Sequence, residues 1–290
     1  MRKAYIILVH KNPEQVYKLV KQLDDDRSEF FIHIDIKVNA GAFRNLREFG
    51  TKLYFTERED GRWGGPGIVK ATVNALEKVR EAGKLYDRVI LLSGQDYPLK
   101  TNRYIDDFLS NAAHSVFMTT FSALPVAGWD NGGLNRIYDY YLGLKWHHLY
   151  LNKGINLLKK VLPFLRKKVP YDLKVYAGSQ WWIIDMYALN YILDYLRDNK
   201  RFSRFFRYSL LADEMFFQTI LLNAADDRLL NSIENDNKRL IVIPTGDMHP
   251  TTWKKEDIQL LLASNALFAR KFDTEVDPEI LRLLDHHIAG

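Results

Sequence analysis

In His33-Ile34-Asp35-Ile36-Lys37, a strand-like run ends in a carboxylate and a cation. A carboxylate at a strand's C-terminal end can accept hydrogen bonds from a ribose or a base edge. The plainer reading is an acid that caps a turn. Leu92-Ser93-Gly94-Gln95-Asp96 adds a Ser-Gly pair, which lets the backbone turn sharply and approach a ligand, and an acid at the top of another strand. Ala212-Asp213-Glu214 heads an apolar stretch with helical spacing. The helix dipole favours carboxylates there, so Glu214 could act as a general base; equally, Asp213 and Glu214 could be an ordinary cap and first-turn acid. Lys238-Arg239 and Arg270-Lys271 are separated cation pairs. Converging on one point they could hold a diphosphate without a metal, whereas spacing alone favours two unrelated surface pairs. In Gly178-Ser179-Gln180-Trp181-Trp182, adjacent tryptophans opening a strand put one ring on each face: one in the core and one as a sugar platform, or both in packing.

Strand ends must carry most of these groups. Short apolar runs at Ala4–Val9, Glu29–Ile34, Lys52–Phe55 and Arg88–Ser93 read as strands, with helical spacing over Pro13–Leu23 and Ile68–Val79 and another helix from about Thr101. A turn is expected over Gly94–Pro98. Strands alternating with helices imply a mainly parallel sheet covered on both faces, which binds ligands beyond the carboxyl ends of its strands. Ser122–Asn135 reads as a functional loop. Further along come a strand at Gln180–Ile184, a helix from Tyr187, a helix near Ala212–Asn223, a strand at Arg239–Ile243, and closing helices near Lys255–Ala263 and Pro278–His287. No repeat or flexible linker interrupts the 290 residues. A single domain is expected, with a nucleotide-binding half at 1–120 and an acceptor and catalytic half at 121–290.

Lys+Arg exceed Asp+Glu by 41 to 36, a net charge of +5 with both signs mixed, so nothing points to nucleic acid as a partner. The chain has no cysteine. That excludes disulfides, Cys-based zinc sites, iron–sulfur clusters and thiol nucleophiles. No apolar run approaches the roughly 18 residues of a membrane span, and Ala4–Val9 is too short for a signal peptide. A soluble, cytoplasmic chain is expected. The 13% aromatic content would serve the core and any site for flat rings.

In order along the chain, Leu8-Val9-His10, His33–Lys37, Arg62-Trp63 with Val69–Leu76, Leu92–Thr101, Gly178–Trp182, Ala212–Thr219 and most of Arg239–Asp285 resemble the core-2/I-branching β-1,6-N-acetylglucosaminyltransferases and the related peptide O-xylosyltransferases, in a compact bacterial form. The resemblance implies a GT-A-like fold, and inverting, metal-independent transfer from a UDP-sugar. It implies that Val9, His10, Asp35 and Arg62 bind the donor, that Arg239 and Lys271 hold its diphosphate in place of a metal, and that Glu214 is the base. Asp96 would contact donor or acceptor, and Trp181, Trp182 and Asp213 the acceptor. No cofactor beyond the UDP-sugar is implied. Asp24-Asp25-Asp26 matches a metal-binding Asp-x-Asp literally, but it follows a helix and reads as a solvated face.

Absence of cysteine separates this chain from the disulfide-rich, membrane-anchored animal members. It points to bacterial surface-polysaccharide synthesis on the cytosolic side. The resemblance implies UDP-GlcNAc as the favoured donor, with UDP-xylose as the alternative, and a glycan or a lipid-linked glycan as acceptor. Ser122–Val175 matches nothing in the family. Within it, Lys153–Lys174 carries seven basic residues against one acid, with apolar pairs between them. It reads as a solvated helical hairpin or as a helix lying on anionic lipid, at the inner membrane surface. Rival readings are a binding module without catalysis and a metal-dependent retaining transferase.

Overall fold

A computed structural model describes residues 1–127, 129–143, 146–244, 246–247 and 249–289. In chain order the strands are β1 (Lys3–Val9), β2 (Ser28–Ile34), β3 (Leu53–Phe55), β4 (Arg88–Ser93), β5 (Asp96–Pro98), β6 (Val116–Ala123), β7 (Tyr176–Ile184), β8 (Ile233–Glu234), β9 (Arg239–Ile241) and β10 (Phe268–Arg270). The helices that flank them are α1 (Pro13–Leu23), α2 (Gly67–Glu81), α3 (Asn102–Asn111), α4 (Leu134–Tyr138), α5 (Trp146–Val161), α6 (Met186–Asp198), α7 (Lys200–Phe206), α8 (Phe216–Leu222), α9 (Asp227–Asn231), α10 (Ile258–Ala263) and α11 (Glu279–Ala289).

The main sheet runs β3-β2-β1-β4-β7-β6-β8. β1 to β4 are mutually parallel, β7 is antiparallel to both neighbours, and β8 is parallel to β6. The architecture is therefore the expected mixed, mainly parallel α/β sheet. Successive side chains of a strand face opposite ways. Ala4 and Ile6 accordingly join a core with Val79, Leu189 and Phe217, while Tyr5 and Ile7 join one with Leu19, Leu109 and Leu284. A strand buried on both faces must be apolar throughout, which is why Tyr5-Ile6-Ile7 and Ile90-Leu91-Leu92 show no alternation.

Register aligns the functional ends. Val9 pairs with Ile34, and Leu8 with Ser93, so the strands emptying into His10, Asp35 and Gly94 finish at one level. The Gly94–Pro98 segment departs from the expected turn. Asp96–Pro98 forms β5 and pairs with β10 in a small sheet, β5-β10-β9. Its partner lies far along the chain, so no local pattern marks it. Gly94 serves packing: a Cβ there would sit 2.8 Å from Val16 Cγ2 and 3.2 Å from Val9 Cγ1, so α1 can lie close over the turn.

Other boundaries follow from caps. Thr101 Oγ1 accepts the Tyr104 N–H at the head of α3, and Asp185 Oδ1 accepts the Ala188 N–H at the head of α6. The Ala212–Asn223 helix is shorter than expected. Ala212–Glu214 is a 3-10 turn, and the α-helix starts at Phe216. β7 starts before the tryptophan pair, at Tyr176, so both rings lie inside the strand. The acidic triplet is not simply solvated. Asp25 binds the fully buried Lys3 Nζ at 2.9 Å, and Asp24 binds Lys52 at 2.9 Å. Lys3 also pairs with Asp106, so the buried ammonium is held between two carboxylates.

Candidate active site

Beyond the parallel strand ends lies a cleft of about 440 Å³, within the range of small-molecule sites. Its wall brings together Val9, His10, Asp35, Arg62, Trp181 and Lys271, residues drawn from five separate stretches of chain. Arg270, Lys37, His33, Ser93, Trp63 and His249 also line it. Trp63 and His249 meet edge to face, with ring centroids 5.7 Å apart, joining two loops at the cleft.

Asp35 shapes the wall as well as lining it. Its Oδ1 accepts the Lys37 N–H at 2.8 Å, its Oδ2 accepts the Gly61 N–H at 3.0 Å, and Lys37 Nζ stands 3.4 Å away. Arg58 donates to the carbonyls of Ile34 and Asp35 and bonds that of Val38. The carboxylate therefore pins its own loop to the Gly61 loop. His33 Nε2 accepts the Glu59 N–H at 2.9 Å, so that imidazole is neutral with its proton on Nδ1. Burial lowers the pKa of His33 and of His10, the latter helped by Lys11.

Asp96 and Arg239 lie elsewhere than expected. Both side chains are fully buried and neither lines the cleft. Asp96 is saturated: it accepts from Ser93 N–H and Oγ, and stands 3.3 Å from Arg270 and 3.6 Å from Arg239. Arg239 also bonds the carbonyls of Leu91 and Asn237. The register of the small sheet causes this, because it sets Arg270 directly opposite Asp96, with Arg239 on the neighbouring strand. An acid this buried is stable only with such partners, so Asp96 anchors cations and does not reach a sugar. Burial pulls the Arg239 pKa down to about 10, so it stays charged at neutral pH, and lowers that of Arg270. The single carboxylate of Asp96 is shared by two guanidiniums, Arg239 beneath the cleft and Arg270 at its wall. Arg270 also stacks over Trp181, 4.3 Å from the ring centroid. The cation that lines the cleft beside Lys271 is thus Arg270, not Arg239.

Both tryptophans are buried in one core cluster, but they differ at the cleft. Trp181 lines the cleft, whereas Trp182 is 1% exposed and packs edge to face on Phe217. Trp182 is core and not an acceptor contact. Asp213 is buried too, its Oδ1 without a hydrogen-bond partner among the described residues. Burial and the adjacent Glu214 push its pKa up to about 7. It is buried and does not line the cleft.

Glu214 is one-third exposed and beside the cleft, not in its wall. The Leu211 N–H bonds the Gly64 carbonyl, tying the Ala212–Glu214 turn to the loop that carries Trp63. Burial raises the Glu214 pKa, while Arg136, 2.7 Å away, opposes the rise. Arg136 stacks over Trp129 at 3.7 Å, which fixes its position. Sequence reasoning missed Arg136. It sits on α4, a one-turn helix after Gly132-Gly133 in the expected Ser122–Asn135 loop region, where no periodicity marks it. Gly128 of that loop lies outside the described residues.

Among the described residues no group of three or more His, Asp or Glu side chains could hold a metal ion. None of the described helices is long and apolar enough to cross a membrane.

Comparison with known proteins places this arrangement. The sequence profile of the Core-2/I-Branching enzyme family matches residues 3–261. Xylosyltransferase 2 of Canis lupus familiaris is 25% identical over 316 residues, covering 100% of this chain and 34% of the relative. Xylosyltransferase 1 of the same species is 24% identical over 309 residues, covering 100% of this chain and 31% of the relative. The chain thus spans about a third of the length of these curated relatives. A solved glycosyltransferase involved in the glycosylation of the major capsid of PBCV-1 is 12% identical, covers 96% of this chain and 99% of its own, and superposes with a TM-score of 0.38.

Proposed function

The chain belongs to the core-2/I-branching enzyme family, and from that footing we propose that it is a GT-A-type glycosyltransferase that moves a sugar from a UDP-sugar to a glycan hydroxyl with inversion. The observation that carries this reading is the cation-lined cleft at the strand ends. Arg270 and Lys271 face it, Arg239 and Asp96 lie beneath it, and aromatic and carboxylate groups line the strand ends beside them.

In this reading Val9, His10, Asp35 and Arg62 hold the uridine end of the donor. Lys271 and Arg270 meet the diphosphate, and Arg239 adds its charge from below through Asp96. Glu214 takes the proton of the acceptor hydroxyl. The oxygen forms a bond to the anomeric carbon as the bond from that carbon to the phosphate oxygen breaks, and the electron pair leaves with UDP. Charge grows on the departing diphosphate, and preorganised cations stabilise it in the transition state. A single displacement converts an α-linked donor into a β-linked product. Trp181 and Trp63 offer faces for sugar rings. No cofactor or metal is required by this scheme, because the cation pair takes the metal's electrostatic part.

The resemblance favours UDP-GlcNAc as donor and a bacterial surface glycan, free or lipid-linked, as acceptor. The named xylosyltransferases among the relatives favour UDP-xylose as a second reading. A transfer assay with both donors separates the two. For the mechanism, Glu214→Gln is expected to lower transfer about 10²–10⁴-fold while UDP still binds. Near-normal turnover in that variant overturns the assignment of the base.

A further inference from the structure

α5 is amphipathic in the reverse sense. A surface helix ordinarily turns its apolar stripe to the core and its polar stripe to water. Here Asn152, Asn156 and Lys159, spaced four and three apart, face the protein and clasp the strand-less segment before the helix. Asn152 Oδ1 accepts the Leu142 N–H at 2.8 Å, and its Nδ2 donates to the Gly143 carbonyl at 3.0 Å. Asn156 makes the same paired contacts with the Tyr140 backbone, at 2.8 and 3.1 Å. Lys159 pairs with Asp139 and donates to the Tyr138 carbonyl at 3.0 Å. The opposite face carries Leu157, Leu158 and Val161, and Phe164 continues it into the following turn. These side chains are 64%, 52%, 76% and 79% exposed. Polar anchoring inward and four large apolar side chains outward is the opposite of what water selects.

The chemistry around the stripe points to its occupant. Beside it lies a shallow basic cleft of about 500 Å³, lined by Tyr138, Lys159, Lys160, Arg166, Lys167 and Lys168. Lys159 and Lys167 are occupied inward, Lys167 Nζ donating to Ser209 Oγ at 2.9 Å and the Tyr208 carbonyl at 3.2 Å. Lys160, Arg166 and Lys168 are exposed, and among the described residues no carboxylate pairs with them.

We propose that this face is a docking surface for an anionic lipid bilayer: Leu157, Leu158, Val161 and Phe164 enter the headgroup boundary while Lys160, Arg166 and Lys168 meet the lipid phosphates. A helix of this kind lies in the plane of the interface, held by buried apolar area and by attraction to anionic headgroups together. A second copy of the chain is the poorer occupant. A two-fold contact would set the same cations against each other with no acids to meet them. The docking stands independently of the proposed transfer reaction.

Flotation of the full chain with vesicles tests this. The protein is expected to float with phosphatidylglycerol vesicles at low salt and to stay behind with phosphatidylcholine vesicles. Val161→Asp with Phe164→Asp should lower the floated fraction at least about tenfold, and Lys160→Glu with Lys168→Glu should do so too. The milder pair Leu157→Ser with Phe164→Ser keeps the test valid if an aspartate variant misfolds. All these positions are exposed, so the unfolding midpoint should hold. Absence of flotation with phosphatidylglycerol at low salt, equal flotation of the variants, or equal binding to phosphatidylcholine overturns the proposal. So does a dimer, seen by light scattering without vesicles, that Val161→Asp dissolves.

Discussion

Glu214 and Asp213 are neighbours in sequence with opposite fates, and the difference is one guanidinium. Arg136 counters the burial that raises the Glu214 pKa, which in the proposed mechanism favours the carboxylate form that a base needs. Arg136→Met should therefore move the acid limb of the pH–rate profile to higher pH, losing more activity at pH 6 than at pH 8. An unshifted profile would mean that Arg136 only braces the turn. Asp213 lacks such a partner. Its pKa is pushed up to about 7 in the fold, against about 3.9 in an unfolded chain. Between those values the folded state binds more protons, so stability is fully present below the lower value and is lost as pH rises through about 7. Asp213→Asn should remove that slope. The melting-temperature difference between variant and parent should move in the variant's favour from pH 4 to pH 8, and a pH-independent difference would contradict this. Such pairings were not legible in the sequence. Asp213-Glu214 could be picked out as candidate chemistry, but Arg136 lies 78 residues away in sequence and only packing brings it there.

Elements were more legible than side-chain partners. α1 and β4 fall where their apolar patterns put them, because a stripe of Val16, Leu19, Val20 and Leu23, or a solid apolar run, states its own burial. β5 and β6 were not read from the sequence. β5 exists only through its pairing with β10, and β6 is irregular, with register shifts against β7 on both sides of Thr120. Gly178 belongs to that irregularity. A Cβ there would lie 2.0 Å from the Thr119 carbonyl oxygen, and this is backbone that cannot step aside. Gly178→Ala is expected to cost about 1–3 kcal/mol, read as a lowered denaturant midpoint. Gly154→Ala, with nothing within 4 Å of its new Cβ in α5, should instead be neutral or stabilise by up to about 1 kcal/mol. Equal effects at the two sites would refute the close approach of β6 and β7.

At the scale of the whole molecule, the cleft exists because two sheets meet. β1, β2 and β4 supply one wall, and the β5-β10-β9 sheet brings Arg270 and Lys271 to it. A ligand bridging both should stabilise the entire fold by mass action. UDP at a hundred times its dissociation constant is expected to add about 2.7 kcal/mol, seen as a raised melting temperature. With the cation pair standing for a metal, the rise should be the same in EDTA. A shift that disappears with EDTA and returns with Mn²⁺ would show that a metal carries the diphosphate after all. The sequence alone determined the α/β class, the strand ends that must hold a ligand, and the residues able to do chemistry, because burial periodicity and strand-end placement are local properties. Which of those residues face the cleft was set by the packing of distant strands. It put Arg270 there and Arg239 beneath, sealed Asp96 and Trp182 inside, and gave Glu214 its partner. Those outcomes depend on register between strands far apart in the chain, and a one-residue change of register would exchange the side chains that face in and out.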